Sequence, residues 1–326
     1  MLVISSFFNM FQTKVEIPVS KLKIDYEDKI MTLGSCFAQN IGKKMEEVWF
    51  DTIINPFGVL YNPVSIQKSI ELLIENKTFT ENDLFDYRGL WQSFSQSSLF
   101  SDITAEKCLI KINERYIPAR DFLKKTDFLL ITFGTSWVFE EKKTGNIVSN
   151  CHKLPANDFV RRRLTVEEIV SLYTKLFAKL RELFPKLKLV FSVSPIRHWK
   201  DGAHENNVSK SILLLAIEQL QKQFENVEYF PAYEIQMDEL RDYRFYASDM
   251  FHPSDVAVDY IWKRFSETYF DNKTLKIKKE LEQLYADLSH RPLQPNSEEF
   301  LLFQKNIENR KMKICTEYPF LKDKIQ

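Results

Sequence analysis

Four residues stand out as able to do chemistry: Ser35 and Cys36, side by side in "IMTLGSCFAQNIGKKM", and Asp249 and His252, three residues apart in "SDMFHPSD". A hydroxyl is a poor nucleophile until a base takes its proton, and an imidazole serves best when a carboxylate fixes its tautomer. On a turn entering a helix, the D-x-x-H spacing lets Asp249 reach one imidazole nitrogen of His252 while the other faces neighbouring strand ends. Ser35 falls where an apolar run gives way to an amphipathic pattern. A helix start there would aim backbone N–H groups and the helix dipole at developing negative charge. Ser35 is therefore expected as the nucleophile, donating its own amide to an oxyanion hole, with His252 as base and Asp249 as the group that orients it. Cys36 is the rival nucleophile, since a helix start also favours thiolates. Free cysteines are more often buried apolar groups, however, and the next helical position tends to turn away from a cleft. The structural alternatives are that Gly34 and Ser35 only end a strand and cap a helix, and that Asp249 only forms a turn.

Those residues need elements to hold them. Lys29 to Leu33 reads as a buried strand, and Ala38, Ile41, Met45 and Val48 then recur at helical spacing. Residues 51 to 62, "DTIINPFGVLYN", read as loop, and a helix opens at Pro63. "DFLLITFGTSWVF", residues 127 to 139, is the clearest core strand, followed by a hairpin-like excursion turning at "KTGN". A helix from about Thr165 to Phe184 precedes the strand "KLKLVFSVSPI", and Leu213, Ile217, Leu220 and Phe224 mark the next helix. "VEYFPAYEI" reads as a shorter strand, and a helix capped by Ser254 runs from about Asp255 to Phe270. Strands alternating with helices predict a three-layer α/β/α sandwich with a mostly parallel sheet, in which ligands sit at the carboxyl ends of the strands. The expected division is a main domain over residues 1–272 and a helical C-terminal extension over 273–326, with breaks at Pro292 and Pro295.

Composition limits the partners. Forty-five basic and 45 acidic residues cancel, so no global field draws the chain to nucleic acid or an anionic membrane. The run Arg161 to Arg163 reads as a solvated face. Cys36, Cys108, Cys151 and Cys315 show no metal-type spacing, and no phosphate loop, G-x-G-x-x-G or H-E-x-x-H is present. Neither metal nor cofactor is expected. The apolar stretch "MLVISSFFNMF" lacks a basic flank and is too short to span a bilayer, so a cytoplasmic location is the expectation.

"GSCFA" at 34–38 carries a resemblance to the GSCFA family, a bacterial branch similar to the SGNH/GDSL hydrolases. In order along the chain, "NPFGVLYNP" at 55–63, "FGTSWVF" at 133–139, "NCHK" at 150–153, "SVSPIRHWKDGAHENN" at 192–207 and "DMFHPS" at 249–254 carry it further. It covers about residues 25–270. The resemblance implies a flavodoxin-like sandwich with a shallow site, Ser35 as nucleophile, Asp249 and His252 as its partners, and the Ser35 and Gly58 amides in the oxyanion hole. Where those hydrolases carry G-x-N-D, this chain has "GTSW". Thr135 or Ser136 would then donate a hydroxyl, or Asn150 would reach in. His152 beside Asn150, and Arg197, His198 and His204 after "FSVSP", are candidates for substrate contact.

The function expected is a cofactor-free serine esterase removing short acyl groups from a carbohydrate or other polar small molecule. An acyltransferase using the same acyl-enzyme is the close variant, and a degenerate scaffold that binds a glycan or protein partner is the alternative. The sequence carries no signal for oligomeric state.

Overall fold

A computed structural model describes residues 13–291, 294 and 297–325. The apolar N-terminal stretch, Pro292 and Pro295 lie outside the described residues.

Five parallel strands form the centre: β1 (Lys29–Gly34), β2 (Asp51–Ile54), β5 (Phe128–Phe133), β9 (Lys188–Val193) and β10 (Val227–Tyr229), in spatial order β10-β9-β5-β1-β2. Numbered among themselves, these strands lie in the order 2-1-3-4-5, the flavodoxin-like arrangement. Its topological switch point falls between β1 and β5. Alternation along each strand sends side chains to opposite faces. Met31, Leu33, Leu129, Ile131, Leu189 and Phe191 enter one core, and Ile30, Phe128, Leu130 and Val190 enter the other.

The first core is closed by α2 (Pro63–Ile74), α3 (Ala105–Leu123), α4 (Val166–Leu183) and α5 (Ala203–Gln223). The second is closed by α1 (Cys36–Glu47), α7 (Asp255–Tyr269) and α8 (Asn272–Leu288). This is the expected three-layer sandwich. The helices α9 (Glu298–Glu317) and α10 (Lys322–Ile325) add Ile307, Ile314 and Ile325 to the second core.

Two short antiparallel sheets stand outside the main one. A hairpin joins β3 (Phe85–Tyr87) to β4 (Leu90–Gln92), and β6 (Trp137–Glu141) pairs with β7 (Ile147–Val148) and β8 (Phe159–Arg163). A single turn, α6 (Ala232–Glu234), follows β10 and runs into a π-helical segment, Ile235–Glu239.

Four local expectations are corrected. Residues 51 to 62 contain the edge strand β2; half-buried on every residue, it lacks the fully apolar run that marks a core strand. The run 127 to 139 is two strands in two sheets, because the Gly134 and Thr135 amides both donate to the Tyr61 carbonyl instead of continuing the ladder. "VEYFPAYEI" stops being a strand after Tyr229, where Pro231 precedes the helical turn. Arg161 to Arg163 are not merely solvated: Arg161 lies over the Trp137 ring at 4.0 Å and pairs with Asp201, while Arg162 and Arg163 pair with Glu168 and Glu205.

Candidate active site

The loop from Tyr246 to Ser254 is closed as a small hairpin. Tyr246 bridges Pro253, the Ala247 N–H donates to the His252 carbonyl at 2.8 Å, and Ser254 N–H to the Phe245 carbonyl at 2.9 Å. Inside it Met250 takes a left-handed conformation (φ +63°), a strain that clusters at functional sites. The turn brings Asp249 back onto His252. One carboxylate oxygen accepts both the Phe251 and His252 N–H groups at 2.9 Å, and the other lies 2.5 Å from His252 Nδ1. Those two amide donors and the imidazole hold the Asp249 carboxyl down at about 2, so it is an anion at any working pH. An anion on Nδ1 fixes the tautomer that leaves Nε2 as acceptor. Among the described residues Nε2 has no partner, and the ring is half exposed.

At the switch point, β1 ends on Gly34 with φ +133°; a Cβ there would lie 2.1 Å from the Thr132 carbonyl oxygen. The Gly34 N–H donates to Asn55 Oδ1 (2.9 Å), and the Gly34 carbonyl accepts from Leu60 N–H (2.9 Å). The next amide, Ser35 N–H, continues the ladder to the Thr132 carbonyl at 3.2 Å. The Ser35 hydroxyl caps α1 by accepting the Phe37 N–H at 3.2 Å, and the residue is only 2% exposed. Cys36 opens the helix and is half-buried. Its Sγ is 3.6 Å from the Tyr61 hydroxyl. Burial first, and then charge on the neighbouring Cys36, hold the Tyr61 phenol protonated far above its usual range.

The Tyr61 ring meets the edge of His198 at 5.6 Å. The His198 N–H is held by Asn206 Oδ1 at 3.0 Å. Burial, then Lys210, Arg161 and His252, press its pKa down to about 4. Cys36, Tyr61 and His198 thus form one line of contacts, and His198 is followed in the chain by Trp199. Trp199 is 50% exposed with its ring 5.8 Å from Phe251.

Several candidates are placed elsewhere or already engaged. The Gly58 N–H donates to the Asn55 carbonyl at 2.8 Å, so in this structure neither Gly58 nor Ser35 offers an amide to an oxyanion. Thr135 Oγ1 and Ser136 Oγ both lie 3.0 Å from Ser209 Oγ on α5 and are buried; they tie β5 to that helix rather than replace the asparagine. Asn150 Oδ1 accepts the His152 N–H, and His152 Nε2 lies 2.7 Å from the Ser93 carbonyl. The first bond shapes the turn locally, and the second holds the connection after β7 against the segment following β4. Arg197 is half-buried, its Nε buried without a hydrogen-bond partner among the described residues, and His204 is exposed on the first turn of α5.

Two residues went unread in the sequence. Lys210, 1% exposed, donates to the Gly134 and Ser194 carbonyls at 2.7 Å each, clamping the ends of β5 and β9. Burial, and then Arg197, bring its pKa to about 7. Its signal was a lysine on the apolar face of a helix. Asn55, 2% exposed and at φ +42°, holds Gly34 with Oδ1 while its Nδ2 is buried without a partner. Its signal was the asparagine opening "NPFG". Among the described residues no group of three or more His, Cys, Asp or Glu is placed to hold a metal ion, and no helix is long and apolar enough to cross a membrane.

The profile of the GSCFA family matches residues 29–265, well over half the chain. The protein belongs to the GSCFA family. That span runs from the first residue of β1 into α7, taking in Ser35, Cys36, Asp249 and His252 of this GSCFA protein. A comparison with curated proteins finds no match. Solved structures similar to it include a family 3 carbohydrate esterase from Clostridium thermocellum, with 13% identity, 78% of this chain and 98% of that chain covered, and a TM-score of 0.31. An acetyl xylan esterase from the rumen bacterium Butyrivibrio proteoclasticus gives 12% identity, 74% and 63% coverage and a TM-score of 0.37. A family 3 carbohydrate esterase from Talaromyces cellulolyticus gives 12%, 78% and 99%, and 0.32.

Proposed function

We propose that this GSCFA protein is a cofactor-free acyl hydrolase that removes short O-acyl groups from a carbohydrate or similar polar molecule. The observation that carries the reading is the Asp249–His252 pair: a carboxylate locked by two amides, and a half-exposed imidazole locked by the carboxylate, its Nε2 without a partner among the described residues. That is the arrangement of a general base awaiting a proton donor. The nucleophile comes from the Gly34–Ser35–Cys36 turn, Ser35 being the residue expected from sequence. His252 takes its proton, the ester carbonyl is attacked, and the protonated imidazole returns the proton to the departing alcohol. Water then attacks the acyl-enzyme by the same route; an acceptor hydroxyl in its place gives the acyltransferase variant. Trp199 against Phe251, next to His252, offers an aromatic face of the kind sugar rings stack on, which supports a carbohydrate over a purely aliphatic ester.

A second reading, a scaffold that binds a glycan without turning it over, is favoured by one observation: the Ser35 and Gly58 amides are both already bonded. Hydrolysis of p-nitrophenyl acetate and of acetylated xylo-oligosaccharides by the wild type and by His252→Ala separates the two. Turnover that falls by roughly 100-fold or more in His252→Ala supports the hydrolase. Equal background rates, with oligosaccharide binding retained, support the scaffold.

A further inference from the structure

The Ser35–Cys36 pair presents two nucleophilic atoms in adjacent positions, and the structure treats them oppositely. Ser35 belongs to the framework. Its amide is the last rung between β1 and β5, its hydroxyl is the helix cap, and almost none of its surface is open. Its amide and its hydroxyl both help to hold the turn. Cys36 is the first helical residue, so its N–H is one of those an α-helix leaves without an internal acceptor. Among the described residues that N–H has no partner. Its side chain is half open and contacts the Tyr61 hydroxyl, which remains a proton donor because its own ionisation is so strongly opposed. A line of contacts leads from the thiol toward His252: Cys36 meets Tyr61, Tyr61 meets His198, and Trp199, next to His198, meets Phe251, next to His252. A second observation points the same way. Asn55, whose Oδ1 fixes Gly34, has its Nδ2 buried and unpartnered beside this turn, a donor lacking an acceptor.

We propose that Cys36, not Ser35, accepts the acyl group, so that the covalent intermediate is a thioester. The inference rests on the acyl-transfer reading above and changes its nucleophile. His252 Nε2 takes the thiol proton; Sγ bonds to the ester carbonyl carbon; the tetrahedral oxygen anion meets the Cys36 N–H at the positive end of α1. The bond to the alcohol oxygen then breaks and the alcohol leaves with the proton from His252. Water, deprotonated by His252, attacks the thioester, the carbon–sulfur bond breaks, and the thiolate recovers the proton as the acid departs. Tyr61 is a positioning residue that donates to the sulfur while it is anionic.

The test is to mix the full-length protein with p-nitrophenyl acetate, quench in acid during the first turnovers, and map the acetyl group by intact mass and peptide sequencing. Neutral hydroxylamine is then added, since it cleaves thioesters and spares oxygen esters. The expected result is acetyl on Cys36, removed by hydroxylamine, absent in Cys36→Ala, retained in Ser35→Asn, and formed at least ~100-fold more slowly in His252→Ala. Asparagine is chosen at 35 because it keeps a capping oxygen without a nucleophilic hydroxyl. The wild-type map decides even where a variant fails to fold. Acetyl on Ser35, or on Cys36 at a rate indifferent to His252, overturns the assignment of Cys36 alone. A folded wild type that neither acquires an acetyl group nor hydrolyses the ester overturns the acyl-transfer reading with it.

Discussion

Substituting Gly34 by alanine tests the turn on which the site depends. Gly34 sits at φ +133°, a conformation L side chains rarely adopt, and such strain costs on the order of 1–3 kcal/mol. The added Cβ would also lie 2.1 Å from the Thr132 carbonyl oxygen and 2.9 Å from the Thr132 carbonyl carbon. These atoms are backbone and cannot rotate aside. Overpacking of this sort costs a further ~1–3 kcal/mol. The same carbonyl receives the Ser35 N–H, and weakening that bond adds about 1 kcal/mol. The total is roughly 3–7 kcal/mol against a typical domain stability of about 5–15 kcal/mol. Gly145 is the control: it too has positive φ (+70°), but its Cβ would meet nothing within 4 Å, so Gly145→Ala isolates the conformational part at about 1–3 kcal/mol. Urea unfolding followed by circular dichroism gives both numbers from the midpoints. If Gly34→Ala costs no more than Gly145→Ala, the close approach of β1 to β5 at the switch point is not what fixes this turn.

Three other outcomes are expected. Asp249→Asn should cut ester turnover steeply, and the wild type's stability advantage over it should be steady at neutral pH. The folded carboxyl ionises at about 2, below its unfolded value, so that advantage persists above the unfolded value and disappears as pH falls through about 2; melting temperatures across an acid series measure it. For Lys210 the sign is opposite in charge but alike in slope. Its folded pKa of about 7 lies below the unfolded value, so the unfolded chain holds more protons between about 7 and the usual lysine range, and the wild type should gain stability over Lys210→Met as pH rises through that window. Finally, Glu239→Gln should cost about 3–5 kcal/mol by urea unfolding. It removes the carboxylate that Arg264 Nη1 contacts at 2.5 Å and leaves a buried guanidinium without its anion; a loss under about 1 kcal/mol would refute this.

By itself the sequence determined the layers and the Asp249–His252 pair. Continuous apolar runs such as "FLLITF" have no stable place except a sheet covered on both faces, and helical periodicity between them requires parallel crossovers. The Asp249–His252 pair was equally legible, because both residues lie in one turn whose geometry is set by a spacing of three. The edge strand β2 and the break at Gly134 were not, since each is decided by where a distant amide finds its acceptor. The same holds for the atoms around the Gly34–Ser35–Cys36 turn. Only the folded chain decides that the Ser35 N–H is a rung of the β1–β5 ladder, that Thr135 and Ser136 bind Ser209, and that a lysine from α5 clamps two strand ends. Hydrogen-bond capacity is written in residue type, but how it is spent depends on neighbours tens of residues away. That is why the sequence could place a serine and a cysteine at the turn, and tertiary structure alone set which of them is occupied with holding it.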